Sequence, residues 1–92
     1  MEKNKIKKLL ITLLCIPMLV FGQKTYVPDD NFELYLEANG YGDGIPLNDS
    51  VITSNMANVI NLPLDNKQIY DLTGIESCIN LNTLLASGNY LT

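Results

Sequence analysis

The sequence predicts an α/β solenoid with short parallel strands on a concave face, entered through a helical N-terminal cap and cut off after about one and a half coils. Three observations predict it. Sliding the chain by 22 residues sets Met56 on Cys78, Val59 on Leu81, Leu62 on Leu84, Leu64 on Ala86, Lys67 on Asn89 and Ile69 on Leu91. All but one of these pairs are apolar on apolar, and self-similarity at a fixed period in the twenties marks stacked repeats. The frame from Leu81 to Leu91 reads L-x-x-L-x-L-x-x-N-x-L, with Ala86 in the third leucine place, a spacing that sustains neither the strand nor the helix period. A single short amphipathic segment with marked ends precedes the repeat.

Residues 1–22 read as a leader. Lys3, Lys5, Lys7 and Lys8 form a basic start, and Leu9 to Phe21 is an apolar run of 13 residues. Gly22 offers a small residue before Gln23, which completes the three-part pattern of a cleaved secretory signal. The run is short of the roughly 20 residues a membrane span needs. Cys15 does not read as a lipid-attachment site, because Leu14 precedes it and the apolar run continues past it. The expected location is therefore secreted or cell surface, without membrane insertion after cleavage.

Residues 23–50 read as the helical cap and a loop. Pro28 biases Val27 away from helix. In "DDNFELYLEANG", Asp30 is the expected N-cap, with Glu33 at capping-box spacing. Phe32, Tyr35, Leu36 and Asn39 share a face, and Gly40 suits the left-handed turn at the helix end. The loop "GYGDGIPLNDS" is turn punctuation. Asp43, Asn48 and Asp49 lack the alternating ligand spacing and terminal Glu of an EF-hand, so they are read as turn residues, and no metal or other cofactor is expected.

Residues 51–92 read as the repeats, a first coil at about 56–77 and an incomplete second at 78–92. Thr53 is an expected N-cap for one helical turn. Strands are expected around Asn61 to Leu64 and Thr83 to Ala86, with Leu62, Leu64, Leu84 and Ala86 pointing inward. Pro63 suits an edge strand. Ile69, Leu72, Ile75, Cys78 and Leu81 recur at steps of three as the returning half, and Leu91 closes the frame. Asn89 carries donors and an acceptor on one short side chain, enough to satisfy backbone groups left unpaired where the chain turns. Lys67, in the equivalent place of the first copy, cannot accept a hydrogen bond.

The stretch "IYDLTGIESCINLNTLLASGNYL" resembles secreted bacterial leucine-rich-repeat proteins of the internalin-like, 22-residue class. "DLTGIE", Asp71 to Glu76, is similar to the first linker of such proteins, and "VPDDNFELYLEANGY" resembles the helical cap before their repeats. The resemblance covers roughly residues 27–92 and implies an exported repeat module that binds rather than catalyses.

Charge and composition narrow the function. Nine acids against two lysines give residues 23–92 a net charge of −7, compared with −4 for the whole chain. An acidic surface repels phosphate backbones, so a nucleic-acid partner is not expected. Histidine is absent, which leaves Cys78 without the usual activating base and favours core packing. Asp29, Asp30 and Glu33 read as helix capping before catalytic carboxylates. The outward strand positions Asn61, Pro63, Asp65, Thr83, Leu85 and Ser87 would line the concave face. The expected function is a non-catalytic binding or adhesion module that presents this face to a protein or glycan. The alternative is the recognition segment of a longer secreted enzyme, such as a hydrolase. Since Thr92 follows the last frame position by one residue, the sequence reads as a fragment of a longer repeat protein.

Overall fold

The computed structural model describes residues 22–91. In order they form β1 (Lys24–Tyr26), α1 (Asp30–Ala38), β2 (Ser50–Ile52), α2 (Thr53–Met56), β3 (Asn61–Pro63), a 3₁₀ turn (Ile75–Ser77) and β4 (Thr83–Leu85). The leader expected at 1–22 lies, apart from Gly22, outside the described residues.

Helix α1 starts where Asp29, not Asp30, caps it. Asp29 has an extended backbone, and its Oδ1 accepts the Phe32 N–H at 2.9 Å. A capping side chain serves the second or third residue inside the helix, so the cap sits one residue earlier than the capping-box spacing suggests. Glu33 is consequently free of the box. It is fully buried, and its carboxylate accepts the Asn48 and Asp49 N–H groups, each at 3.0 Å. The helix ends at Gly40, whose φ of 82° takes the left-handed turn. Gly40 N–H then reaches Glu37 O and Tyr41 N–H reaches Leu36 O at 2.8 Å, the paired bonds of a Schellman ending.

The antiparallel ladder pairs β1 with β2, Thr25 opposite Val51. Bonds from Thr53 N–H to Gln23 O and from Val27 N–H to Asp49 O extend it at both ends. Thr53 does not cap α2; Ile52 holds the cap position without a side-chain bond. The Thr53 hydroxyl instead meets the Thr25 hydroxyl at 2.7 Å, and Thr25 also meets Ser77 at 2.8 Å. This link ties β1, α2 and the 3₁₀ turn together.

The parallel ladder pairs β3 with β4: Asn61 with Thr83, Leu62 with Leu84, Pro63 with Leu85. Each pair is separated by the 22-residue offset visible in the sequence. Between the ladders lies one core. Val27, Phe32, Leu36, Val51, Met56, Val59, Leu62, Leu64 and Ile69 are fully buried, Cys78 is nearly so, and Leu72, Ile75 and Leu81 pack at its edge.

The predicted fold class is corrected. The architecture is a small α/β fold with one antiparallel and one parallel strand pair, and no solenoid is seen among the described residues. The physical reason is that a fixed offset between two segments dictates only their mutual register. Here that register makes a single two-stranded ladder. Among the described residues nothing is stacked on its second strand, and Leu84 is 41 % and Leu91 39 % exposed. Both were expected as inward frame residues; neither is core.

Candidate functional site

The β3–β4 ladder positions the candidate face. Strand residues alternate sides, so burying Leu62 turns Asn61 and Pro63 outward, and the parallel register sets Thr83 and Leu85 beside them. Asn61, Pro63, Thr83, Leu85 and Ser87 are all exposed. Leu85, 49 % exposed, is the apolar centre of a patch whose other members offer an amide, a hydroxyl and a proline ring. Leu64 N–H donates to Leu85 O at 2.7 Å, which leaves proline at 63 free of any ladder duty.

Asp65 is less available than the sequence suggests. It is half-buried, and its Oδ1 accepts the Ser87 N–H at 2.7 Å. The Asn66 N–H returns to Ser87 O at 2.8 Å. Asp65 therefore clamps the end of the ladder with one of its two carboxylate oxygens.

Asn89 fixes the turn beneath this face. Its Oδ1 accepts Lys67 N–H at 2.9 Å and Ile69 N–H at 3.1 Å, and its Nδ2 donates to Leu64 O at 2.7 Å and Ala86 O at 3.0 Å. One half-buried amide thus satisfies four backbone groups on two successive segments. Ala86 is half-buried beside it. Lys67 uses its backbone here and sends its ammonium to 5.9 Å from the Tyr35 ring centroid, within cation–π range.

Three features escaped the sequence. Asp29 has a second role: its Oδ2 accepts Tyr70 N–H at 2.8 Å and Asp71 N–H at 3.2 Å, so one carboxylate both starts α1 and docks it on the segment after Ile69. Asn31 reinforces this with a bond to Gln68 O. No sequence signal separates Asp29 from Asp30 for that role. The capping-box reading also passed over the burial of Glu33; the signal that could have found it is that Glu33 lies three residues before Leu36 and hence on its stripe. Tyr70 and Tyr90 also stack, with ring centroids 5.0 Å apart and both rings largely exposed. Their separation of 20 residues is outside the 22-residue register and left no trace in the pattern.

Chemistry-bearing groups are engaged structurally. Asp30, Glu33 and Asp49 bring carboxylate oxygens within 4.8 Å of one another, but both Glu33 oxygens already accept backbone N–H groups. Burial, and then the nearby Glu76 carboxylate, push the Cys78 thiol above its ordinary pKa, which lowers the thiolate fraction that a nucleophile needs. Asp43, a loop residue, accepts bonds from the Asn48 amide, the Ile45 N–H and Lys24 Nζ, the last at 3.1 Å. These hold its carboxyl far below the usual range, with Asn48 the largest cause. Among the described residues no helix is long and apolar enough to cross a membrane.

No family model matches this chain, and no curated protein matches it either. The resemblance noted above therefore rests on the quoted motifs alone.

Proposed function

We propose that the chain is an exported, non-catalytic binding module that engages a protein or glycan through the outward face of the β3–β4 ladder. The observation that carries this reading is the patch itself. Leu85 stands exposed beside Pro63, between Thr83 and Ser87 on its own segment, and the Asn89 amide and the Asp65–Ser87 clamp hold its backbone in one register. A preorganised face loses little conformational freedom on binding. An exposed apolar centre with hydrogen-bonding neighbours suits a partner that is itself part apolar and part polar, such as a sugar ring or a peptide segment. The acidic balance of residues 23–92 argues against nucleic acid and anionic membrane surfaces. Export, to the medium or the cell surface, is part of the proposal and is supported by the basic start, apolar run and small residue of the leader.

The test is direct binding. The purified exported protein is presented to immobilised glycans and to surface proteins of the producing cell, beside a Leu85→Asp variant and a Leu34→Asp control. Leu34 is exposed on α1 and is not part of the ladder. Saturable binding that Leu85→Asp abolishes and Leu34→Asp keeps is the expected result. Equal binding by all three would place the contact elsewhere.

A further inference from the structure

We infer that Gln23, once the leader is removed, closes on itself to a pyroglutamyl ring that seals the start of β1; this rests on the export reading. The folded ladder and the cleavage pattern meet at this residue. Gly22 is the small residue after which the leader is cut, and a side chain at Gly22 would meet nothing within 4 Å. One residue later the fold begins. Gln23 O accepts Thr53 N–H at 3.0 Å, so Gln23 is the first residue that the antiparallel ladder holds, opposite the beginning of α2. The ladder grips it through its carbonyl. Cleavage turns its nitrogen into a free α-amine next to its own side-chain amide.

That juxtaposition is reactive without any partner. The amine nitrogen attacks the side-chain carbonyl carbon Cδ, the Cδ–Nε2 bond breaks, and ammonia leaves, taking up a proton from the attacking amine. A five-membered lactam results. Nothing is oxidised or reduced, and no co-reactant is required. The structure leaves room for the ring: Gln23 is exposed and borders an open cleft of about 380 Å³ shared with Ser54, Glu76 and Ile79.

Sealing protects what the next residue does. Lys24 follows at once, and its ammonium pairs with Asp43 at 3.1 Å. β1 is only three residues long. Loss of Gln23 would remove the partner of Thr53 N–H, and loss of Lys24 would remove the ion pair and a third of the strand. A chain without an α-amine gives an aminopeptidase no starting point.

The test uses the full chain, Met1 to Thr92, exported by a secreting host and held at neutral pH before intact-mass and N-terminal analysis. The expected product starts at residue 23, is lighter than residues 23–92 by one ammonia, and gains a free amine only after treatment with pyroglutamyl aminopeptidase. A Gln23→Ser chain should carry an open amine and lose its first residues to a general aminopeptidase that leaves the natural chain intact. A product that starts at Gln23 with a persistent free amine overturns the inference and leaves export standing, as does a start at any other residue beyond the apolar run. A product that retains Met1 to Phe21 overturns both. Equal resistance of the natural and Gln23→Ser chains to the aminopeptidase overturns the protective role.

Discussion

Replacing Asn89 by leucine is the sharpest perturbation of the ladder's foundation, because it keeps the side-chain size and removes every polar contact. Four backbone groups lose their partner: Lys67 N–H, Ile69 N–H, Leu64 O and Ala86 O. Lys67 is exposed and water replaces its bond. The contacts to Ile69, Leu64 and Ala86 are partly buried, and a buried orphan costs about 1–3 kcal/mol. Because Asn89 is itself only half-buried, water relieves part of each penalty, and the low end of the range applies, about 2–4 kcal/mol in all. Small domains have about 5–15 kcal/mol to lose, so the effect is large. Urea unfolding should show a lower midpoint at unchanged slope, and the amides of Lys67 and Ile69 should exchange faster than those of α1. An unchanged midpoint, or a lowered one with both amides still protected, would refute the role given to Asn89.

Three further outcomes follow from the same geometry. Leu62→Ala should cost about 2–5 kcal/mol, as truncation of a fully buried leucine does, whereas Leu84→Ala should cost about 1 kcal/mol because much of that side chain already meets water; thermal unfolding of the two variants distinguishes them. Gly74→Ala should cost about 1–3 kcal/mol by calorimetry, since Gly74 has φ 105° and an added Cβ would lie 2.7 Å from Val27 Cγ2 and 2.8 Å from Tyr26 O. Asp43 contributes stability that is present above its unfolded pKa, because its folded pKa is lowered, and that stability is lost as pH falls through the folded value. Acid titration of unfolding should therefore show a smaller pH dependence on the acid side in Asp43→Asn than in the natural chain.

The sequence was most legible where a pattern dictates a local or pairwise relation. The 22-residue offset became the register of Leu62 on Leu84, Gly40 took the left-handed turn, and the donors and acceptor of Asn89 met backbone groups at a turn. It was least legible where the outcome depends on what packs above a residue. Leu84 and Leu91 look like core in a frame, yet burial needs a neighbour on the far side, and a repeat pattern seen in two copies dictates a pair of strands, not a stack. The site divided in the same way. Strand alternation alone turns Asn61, Thr83 and Leu85 outward. Asp65 shares that pattern, but its carboxylate turned to the Ser87 N–H, a tertiary contact with no mark in the spacing. The shift of the helix cap from Asp30 to Asp29 has a similar origin: the segment at Tyr70 and Asp71 supplies two N–H groups that only Asp29 reaches.

The central claim is that binding happens on the outward face of the β3–β4 ladder, and an exchange footprint of the complex tests it most directly. Amide hydrogen exchange of the protein is measured alone and with a glycan or protein partner that the binding test identifies. The account predicts added protection across Asn61 to Leu64 and Thr83 to Ser87, with α1 unchanged. Added protection over α1 or the 43–49 loop, with none at residues 83–87, would contradict it.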